Sequence, residues 1–202
     1  MSLKTYKQKR KFNQTPEPEG KVGASSGPPK FVVQKHAATR LHYDFRLEHK
    51  GVLLSWAVPK GPSLNKEDKR LAMMVEDHPI SYMKFEGIIP EGNYGAGSVI
   101  VWDFGNYLAL GTTNRRESEK LIAAGLKKGE LKVVLNGQKL KGGFALIKLK
   151  NDAKGNAWLM IKEKDSYVKK IDVTKQNKSV LSGKTVEQMA KSATKVWRSN
   201  RK

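Results

Sequence analysis

The chain reads as a mainly β protein, a set of antiparallel strands closing into a barrel or sandwich with two flanking helices. Three observations predict this. Between Phe31 and Lys164 most apolar segments are short, alternate with polar residues, and are bounded by Gly, Pro, Asn or Asp. Asn136-Gly137 lies between two such segments, a hairpin signal because both turn positions favour positive φ. Only two segments carry helical patterning with terminal signals.

Taken in order, the first thirty residues are rich in Pro, Gly, Ser and Lys and poor in apolar side chains, which describes a basic, flexible arm with Tyr6 and Phe12 as possible anchors. The body runs over 31–168. "FVVQKH" is a strand, and "RLHYDFRLEH" is the most regular one. Leu41, Tyr43, Phe45 and Leu47 fall at one parity, and Arg40, His42, Asp44, Arg46 and Glu48 at the other. "GVLLSWAVP", "RLAMMVED" and "GSVIVWDFG" follow as buried strands. "RRESEKLIAAGLKK" is a helix ending at Gly129, a residue suited to a left-handed cap. The Asn136-Gly137 hairpin and "NAWLMIKEK" complete the strands. The basic segment 169–202 holds the second helix, "TVEQMAKSATKVW", opened by a Thr185/Gln188 capping box, and could serve as a linker.

The 202 residues include no cysteine, which excludes a disulfide framework, a thiolate metal site and a cysteine nucleophile. No apolar run is long enough for a membrane span and no leader is evident, so a soluble, cytoplasmic protein is expected. The formal net charge is +20. Seven Lys and Arg face two Glu in 1–30, and ten face two acids in 169–202, so the ends carry 13 of the 20. Nucleic acid is the natural partner for such charge.

The polar ridge of the second strand carries the chemistry. Residues two apart on a strand point to the same side about 6.5–7 Å apart, so His42 and Asp44 can converge on one ion, with His36 from the preceding strand as third donor. Two imidazoles and a carboxylate suit an open, hydrolytic or redox metal site. Arg46, next along the ridge, could clamp a phosphate oxygen. His49 fits no such pattern and reads as a surface residue. A second cluster, Glu76, His78 and Tyr82, sits where Pro79 ends a strand, and His and Tyr are suitable donors to an anionic oxygen. "GNYGAG" is not a phosphate loop and reads as a tight strand connection. Serine-hydrolase, zincin and nucleotidyl-lysine motifs are absent. A non-catalytic nucleic-acid-binding barrel would explain the charge alone, and a hydrolase of small phosphorylated molecules the ridge alone.

"FVVQKHAATRLHYDFRLEHKGVLLSWAVPKGPS" and "KRLAMMVEDHPISYMKFEGIIPEGNYGAGSVIVWDFG", with "TPEP" before them and "WLMIKEKD" after, closely resemble the 3′-phosphoesterase module of bacterial DNA ligase D and its free-standing bacterial and archaeal relatives. The resemblance implies a compact β-barrel of antiparallel strands and a manganese-dependent enzyme, with zinc or cobalt as alternatives by ligand type. It implies removal of a 3′-terminal ribonucleoside and then of the 3′-phosphate, leaving a 3′-OH for end joining. It makes His36, His42 and Asp44 the metal ligands, Arg46, His78 and Tyr82 the catalytic contacts, and Gln34, Lys60, Arg70, Glu76, Arg10 and Glu17 the supporting positions. Where the family often has Arg-Asp-Phe in the arm, this chain has Arg10-Lys11-Phe12, so one acidic contributor is missing. The partners implied are primer-template DNA ends bearing a 3′ ribonucleotide or 3′-phosphate, and ligase or polymerase modules. A monomer associated with the nucleoid of a prokaryote is expected.

Overall fold

A computed structural model describes residues 2–23 and 26–192. Nine strands, β1 (Lys30–Ala37), β2 (Leu41–His49), β3 (Val52–Val58), β4 (Lys69–Pro79), β5 (Gly87–Ile89), β6 (Gly97–Ala109), β7 (Glu130–Gly137), β8 (Lys141–Lys148) and β9 (Ala157–Lys162), form one antiparallel sheet. Its order is β1-β2-β3-β4-β9-β8-β7-β6-β5, and β6 also pairs with β1. Eight strands therefore close into a barrel, with β5 added alongside β6. Closure leaves those strands no free edge.

Period-2 alternation divides the barrel wall into two sides. The inward side chains, among them Phe31, Val33, Phe45, Leu47, Trp56, Trp102, Leu135, Phe144 and Trp158, make one interior core, so the barrel is filled rather than open. The outward faces of β1, β3 and β6 give Val32, Leu53 and Val101 to a second, smaller core with Tyr6, Tyr82 and Met83. The polar ridge of β2 runs beside this outer core.

Three helices flank the barrel. Helix α2 (Arg115–Lys128) starts at Asn114, whose side chain accepts from Glu117 N, ends at left-handed Gly129, and packs Ile122 and Leu126 against the interior core. Helix α3 (Val186–Lys191) opens with the expected capping box. The rest of that helical pattern, from residue 193, lies outside the described residues. Helix α1 (Lys4–Gln8) was not anticipated, and it corrects the expectation of a flexible arm. Five residues cannot sustain a helix alone. Tyr6 is fully buried, its hydroxyl donates to Pro18 O at 2.6 Å, and Phe12 packs beside it.

Two turns show how long-range contacts select local geometry. Lys50 (φ 46°) and Gly51 (φ 82°) make the two-residue β2–β3 turn. A Cβ at Gly51 would also collide with Gly23 O, where the arm is pinned by a Gly23 N to Gly51 O bond of 2.9 Å. The β7–β8 hairpin forms, but not with Asn136-Gly137 as its turn. Both remain in the strand, Asn136 opposite Lys141, and neither has positive φ. The buried Asp103 carboxylate instead accepts the amides of Gln138, Lys139 and Leu140 at 2.8–3.0 Å and fixes a longer turn. His49 is a further correction. It is fully buried, at the inward parity of Phe45 and Leu47, and both ring nitrogens lack a hydrogen-bond partner.

Candidate active site on the outer barrel wall

Register sets the site. His36 pairs with His42 across β1 and β2, and Gln34 with Asp44, so four polar side chains stand on adjacent outward positions. One ligand atom each from His36, His42 and Asp44 lies within 4.8 Å of the other two. His36 Nδ1 is 3.7 Å from Asp44 Oδ2, and His42 Nε2 is 3.7 Å from Asp44 Oδ1. Each imidazole is oriented by its other nitrogen: His36 Nε2 bonds Gly95 O at 2.8 Å and His42 Nδ1 bonds Arg40 O at 2.9 Å. Carbonyls only accept, so those nitrogens carry the protons and the two facing Asp44 keep free lone pairs. Oxygen and imidazole donors in this arrangement fit a divalent ion.

Arg46, 2 % exposed, is held on three sides. Nε donates to Gln34 Oε1 at 2.8 Å, Nη1 to Ser55 Oγ at 2.8 Å, and Nη2 to Asp44 Oδ2 at 3.1 Å. Gln34 is fixed in turn by donating to Tyr82 O and Phe85 O. Burial alone would raise the Asp44 pKa, but the Arg46 guanidinium 3.1 Å away holds it well below the usual carboxylate range.

A β-bulge brings in β4. Ser55 pairs with Val75 but Leu53 with His78, so three residues on β4 answer two on β3. Val75, Glu76 and His78 consequently all line the same cleft. His78 Nδ1 bonds Glu76 O at 2.9 Å, and Nε2 meets Arg10 Nη2 at 3.0 Å. Arginine only donates, so Nε2 accepts and the ring is neutral. Burial, with Arg46 and Arg10 adding to it, pushes the His78 pKa well below that of a free imidazole. Glu76, His78 and Tyr82 lie around the end of β4 at Pro79, where a strand end would leave them exposed. All three side chains are instead covered, because the arm lies over them.

The arm supplies Arg10 and Glu17. Arg10 Nε donates to Glu17 Oε1 at 2.9 Å and Nη1 to Glu76 Oε1 at 3.1 Å, while its Cζ lies 4.0 Å from the Tyr6 ring centroid. Glu17 Oε1 also accepts the Tyr82 hydroxyl at 2.9 Å, and Oε2 the Thr15 hydroxyl at 2.9 Å. Burial foremost, and then Glu17, raises the Tyr82 pKa well above that of a free phenol. Lys11 is exposed.

The cleft is thus lined by Arg10, His36, His42, Asp44, Arg46, Glu76, His78 and Tyr82, with Gln34 and Glu17 bracing them from behind. The structure does not bring Lys60 or Arg70 to it. Lys60 is exposed after β3. Arg70 has the inward parity of Ala72 on β4 and donates to Asp68 Oδ2 at 2.8 Å. Sequence reasoning missed Ser55, whose signal was a lone hydroxyl at outward parity in an apolar strand. It also missed Lys9, Tyr94 and Gly95, the last two inside the "GNYGAG" dismissed as a connection.

Residues 34–148 match the family model described as the DNA ligase D 3′-phosphoesterase domain. The chain belongs to this family. Like the phosphoesterase domain it matches, it is similar to parts of longer proteins. It is 47 % identical over 190 residues, 91 % of this chain, to the multifunctional non-homologous end joining protein LigD of Pseudomonas aeruginosa, covering 22 % of that protein. It is 44 % identical over 164 residues, 81 % of this chain and 21 % of the relative, to LigD of Mycolicibacterium smegmatis. LigD of Mycobacterium tuberculosis H37Rv is 41 % identical over 170 residues, 84 % of this chain and 21 % of the relative. The chain therefore spans about a fifth of these relatives' length. Among the described residues no helix is long and apolar enough to cross a membrane.

Proposed function

We propose that the chain heals DNA 3′ ends as a metal-dependent phosphoesterase. It would remove a 3′-terminal ribonucleoside and then the remaining 3′-phosphate, leaving a 3′-OH for a polymerase or ligase. One observation carries the reading: three metal-donor atoms within 4.8 Å of one another share a cleft with the two buried guanidiniums of Arg46 and Arg10. A non-catalytic binding barrel has no use for that convergence.

His36 Nδ1, His42 Nε2 and an Asp44 oxygen would hold the ion. Manganese is the proposed metal, and zinc or cobalt also suits the donor set. The bound ion supplies Lewis acidity toward a phosphate oxygen. Arg46 commits three of its five N–H groups to Gln34, Ser55 and Asp44, and the two that remain are available to a phosphate oxygen. Arg10 is braced by Glu17, Glu76 and the Tyr6 carbonyl, and neutral His78 accepts from its Nη2. His78 therefore serves first to aim Arg10. Tyr82 donates its one hydroxyl proton to Glu17 Oε1, and its ring lies 5.1 Å from Arg46 Cζ, so it braces the arginine-lined floor of the cleft.

The test is a 5′-labelled primer-template ending in one ribonucleotide, incubated with and without Mn²⁺. The expected series is loss of the nucleoside to a 3′-phosphate, followed by a 3′-OH, with neither product in chelator. An untouched primer across manganese, zinc and cobalt would overturn the reading.

A further inference from the structure

The depth of the cleft sets a condition on any nucleic acid end that uses it. Arg46 is 2 % exposed, His78 3 % and His36 6 %. A backbone phosphate cannot reach such a floor while both neighbouring nucleosides stay stacked, so one must leave the stack. At a 3′ end that is the terminal nucleoside, which has a neighbour on one side only. The cleft encloses about 250 Å³, below the ~300–1,000 Å³ of sites that swallow a whole small molecule. Phosphate and sugar fill it, and the base is left at the mouth.

Tyr94 stands there. It is 52 % exposed, and no other large apolar side chain lining the cleft is exposed. The ring is held in place. Its hydroxyl accepts from Lys9 Nζ at 3.3 Å, and Arg10 Cζ is 5.7 Å from its centroid. Its loop is closed by Asn93 N to Pro90 O and Ala96 N to Asn93 O bonds, and the adjacent Gly95 carbonyl holds His36. The position of the ring is thereby referenced to the three metal donors. Lys9, shared with Glu76 Oε2 at 2.9 Å, puts a cation at the same rim.

We propose that Tyr94 is the platform on which the unstacked 3′-terminal nucleobase lies, a role that rests on the end-healing reading. Every base has a π face, so the platform would accept ends of any base identity. A base–aromatic stack is worth about 5- to 150-fold in affinity.

The test uses a primer-template whose 3′-terminal ribonucleotide is 2-aminopurine, titrated with the full chain in EDTA and read by fluorescence. The wild type should quench the terminal base and leave a 2-aminopurine one position inside largely unaffected. Tyr94→Leu should lose the terminal quench and weaken binding of that end at least about fivefold, while Tyr94→Phe, which keeps the ring, should retain the quench. With Mn²⁺ present, Tyr94→Leu should raise KM for the ribonucleoside end more than for a 3′-phosphate end, which has no terminal nucleoside to stack. An undiminished quench in Tyr94→Leu would overturn the platform. Equal losses on both ends would also overturn it and mark Tyr94 as a support for His36 through Gly95. A wild type that quenches yet cleaves neither end would instead sink the end-healing reading and leave the platform standing.

Discussion

Replacing Glu17 tests whether the arm completes the site or merely covers it. The Glu17 side chain is fully buried and one of its oxygens, Oε1, accepts from both Arg10 Nε and the Tyr82 hydroxyl at 2.9 Å. Glu17→Gln keeps that geometry: the amide oxygen can take the place of Oε1, and the amide nitrogen can face the Thr15 hydroxyl, which is able to accept. What is lost is the charge. The Tyr82 bond becomes an ordinary one and the Arg10 bond loses its ion pair, each weaker by roughly 1 kcal/mol, so about 2 kcal/mol of stability should go. Glu17→Ala removes the acceptor as well and strands part of a buried guanidinium, a loss of about 3–5 kcal/mol. Urea unfolding at pH 7.5 measures both. Turnover on a 3′-phosphate end should fall further in the Ala variant, because Arg10 and Tyr82 lose their aim together. Equal stability of the two variants, or a Gln variant indistinguishable from wild type, would refute the view that this carboxylate ties the arm to the chemistry.

His42→Ala should abolish manganese binding, read by electron paramagnetic resonance, and both cleavage steps, while the fold persists because the side chain is only partly covered; retained activity would remove it from the donor set. Chelation should shift the melting temperature little, since the donors are already held by Arg46, Gly95 O and Arg40 O without an ion; unfolding in EDTA would contradict this. His49 gives a pH signature. Burial pushes its pKa down from 6.5 to about 4, with Lys50 and Arg115 adding to the shift and Glu119 opposing it. The unfolded chain takes up a proton below pH 6.5 that the folded chain refuses until about 4, so stability falls as pH falls through that window, by about 2 kcal/mol at pH 5. His49→Leu should flatten this part of the pH–stability curve, and a curve parallel to wild type would show that the imidazole is not held neutral.

Much of the centre was legible because a strand has a strict period. His42, Asp44 and Arg46 share a parity on β2, and the turn before them returns His36 to face His42. The helix ends at Gly129 and Thr185 were readable because their signals are written within a few residues. What escaped depends on partners far along the chain. The arm folds because Tyr6 finds Val32, Leu53 and Tyr82. The β7–β8 turn is set by Asp103, more than thirty residues earlier. The β4 bulge exists only in the pairing with β3, so no reading of β4 by itself puts Val75 and His78 on one side. His49 fits no ligand pattern and so reads as a surface residue, yet it has the inward parity of Phe45 and Leu47 and the structure buries it.

The two cores differ in what their loss would mean. They pack on opposite sides of one wall, and the outer one, around Tyr6, Leu53, Tyr82 and Met83, is small and carried by a short segment. Small units of this kind open locally at a lower free energy than global unfolding. Each opening withdraws Arg10 and Glu17 while the eight-stranded barrel persists, so amide exchange in α1 should be fast and that in β2 and β3 slow. Thermal melting, which follows the barrel, would then overstate how long the protein stays competent: proteolysis during such an opening would leave a folded barrel that keeps His36, His42 and Asp44 together and no longer has Arg10 beside them.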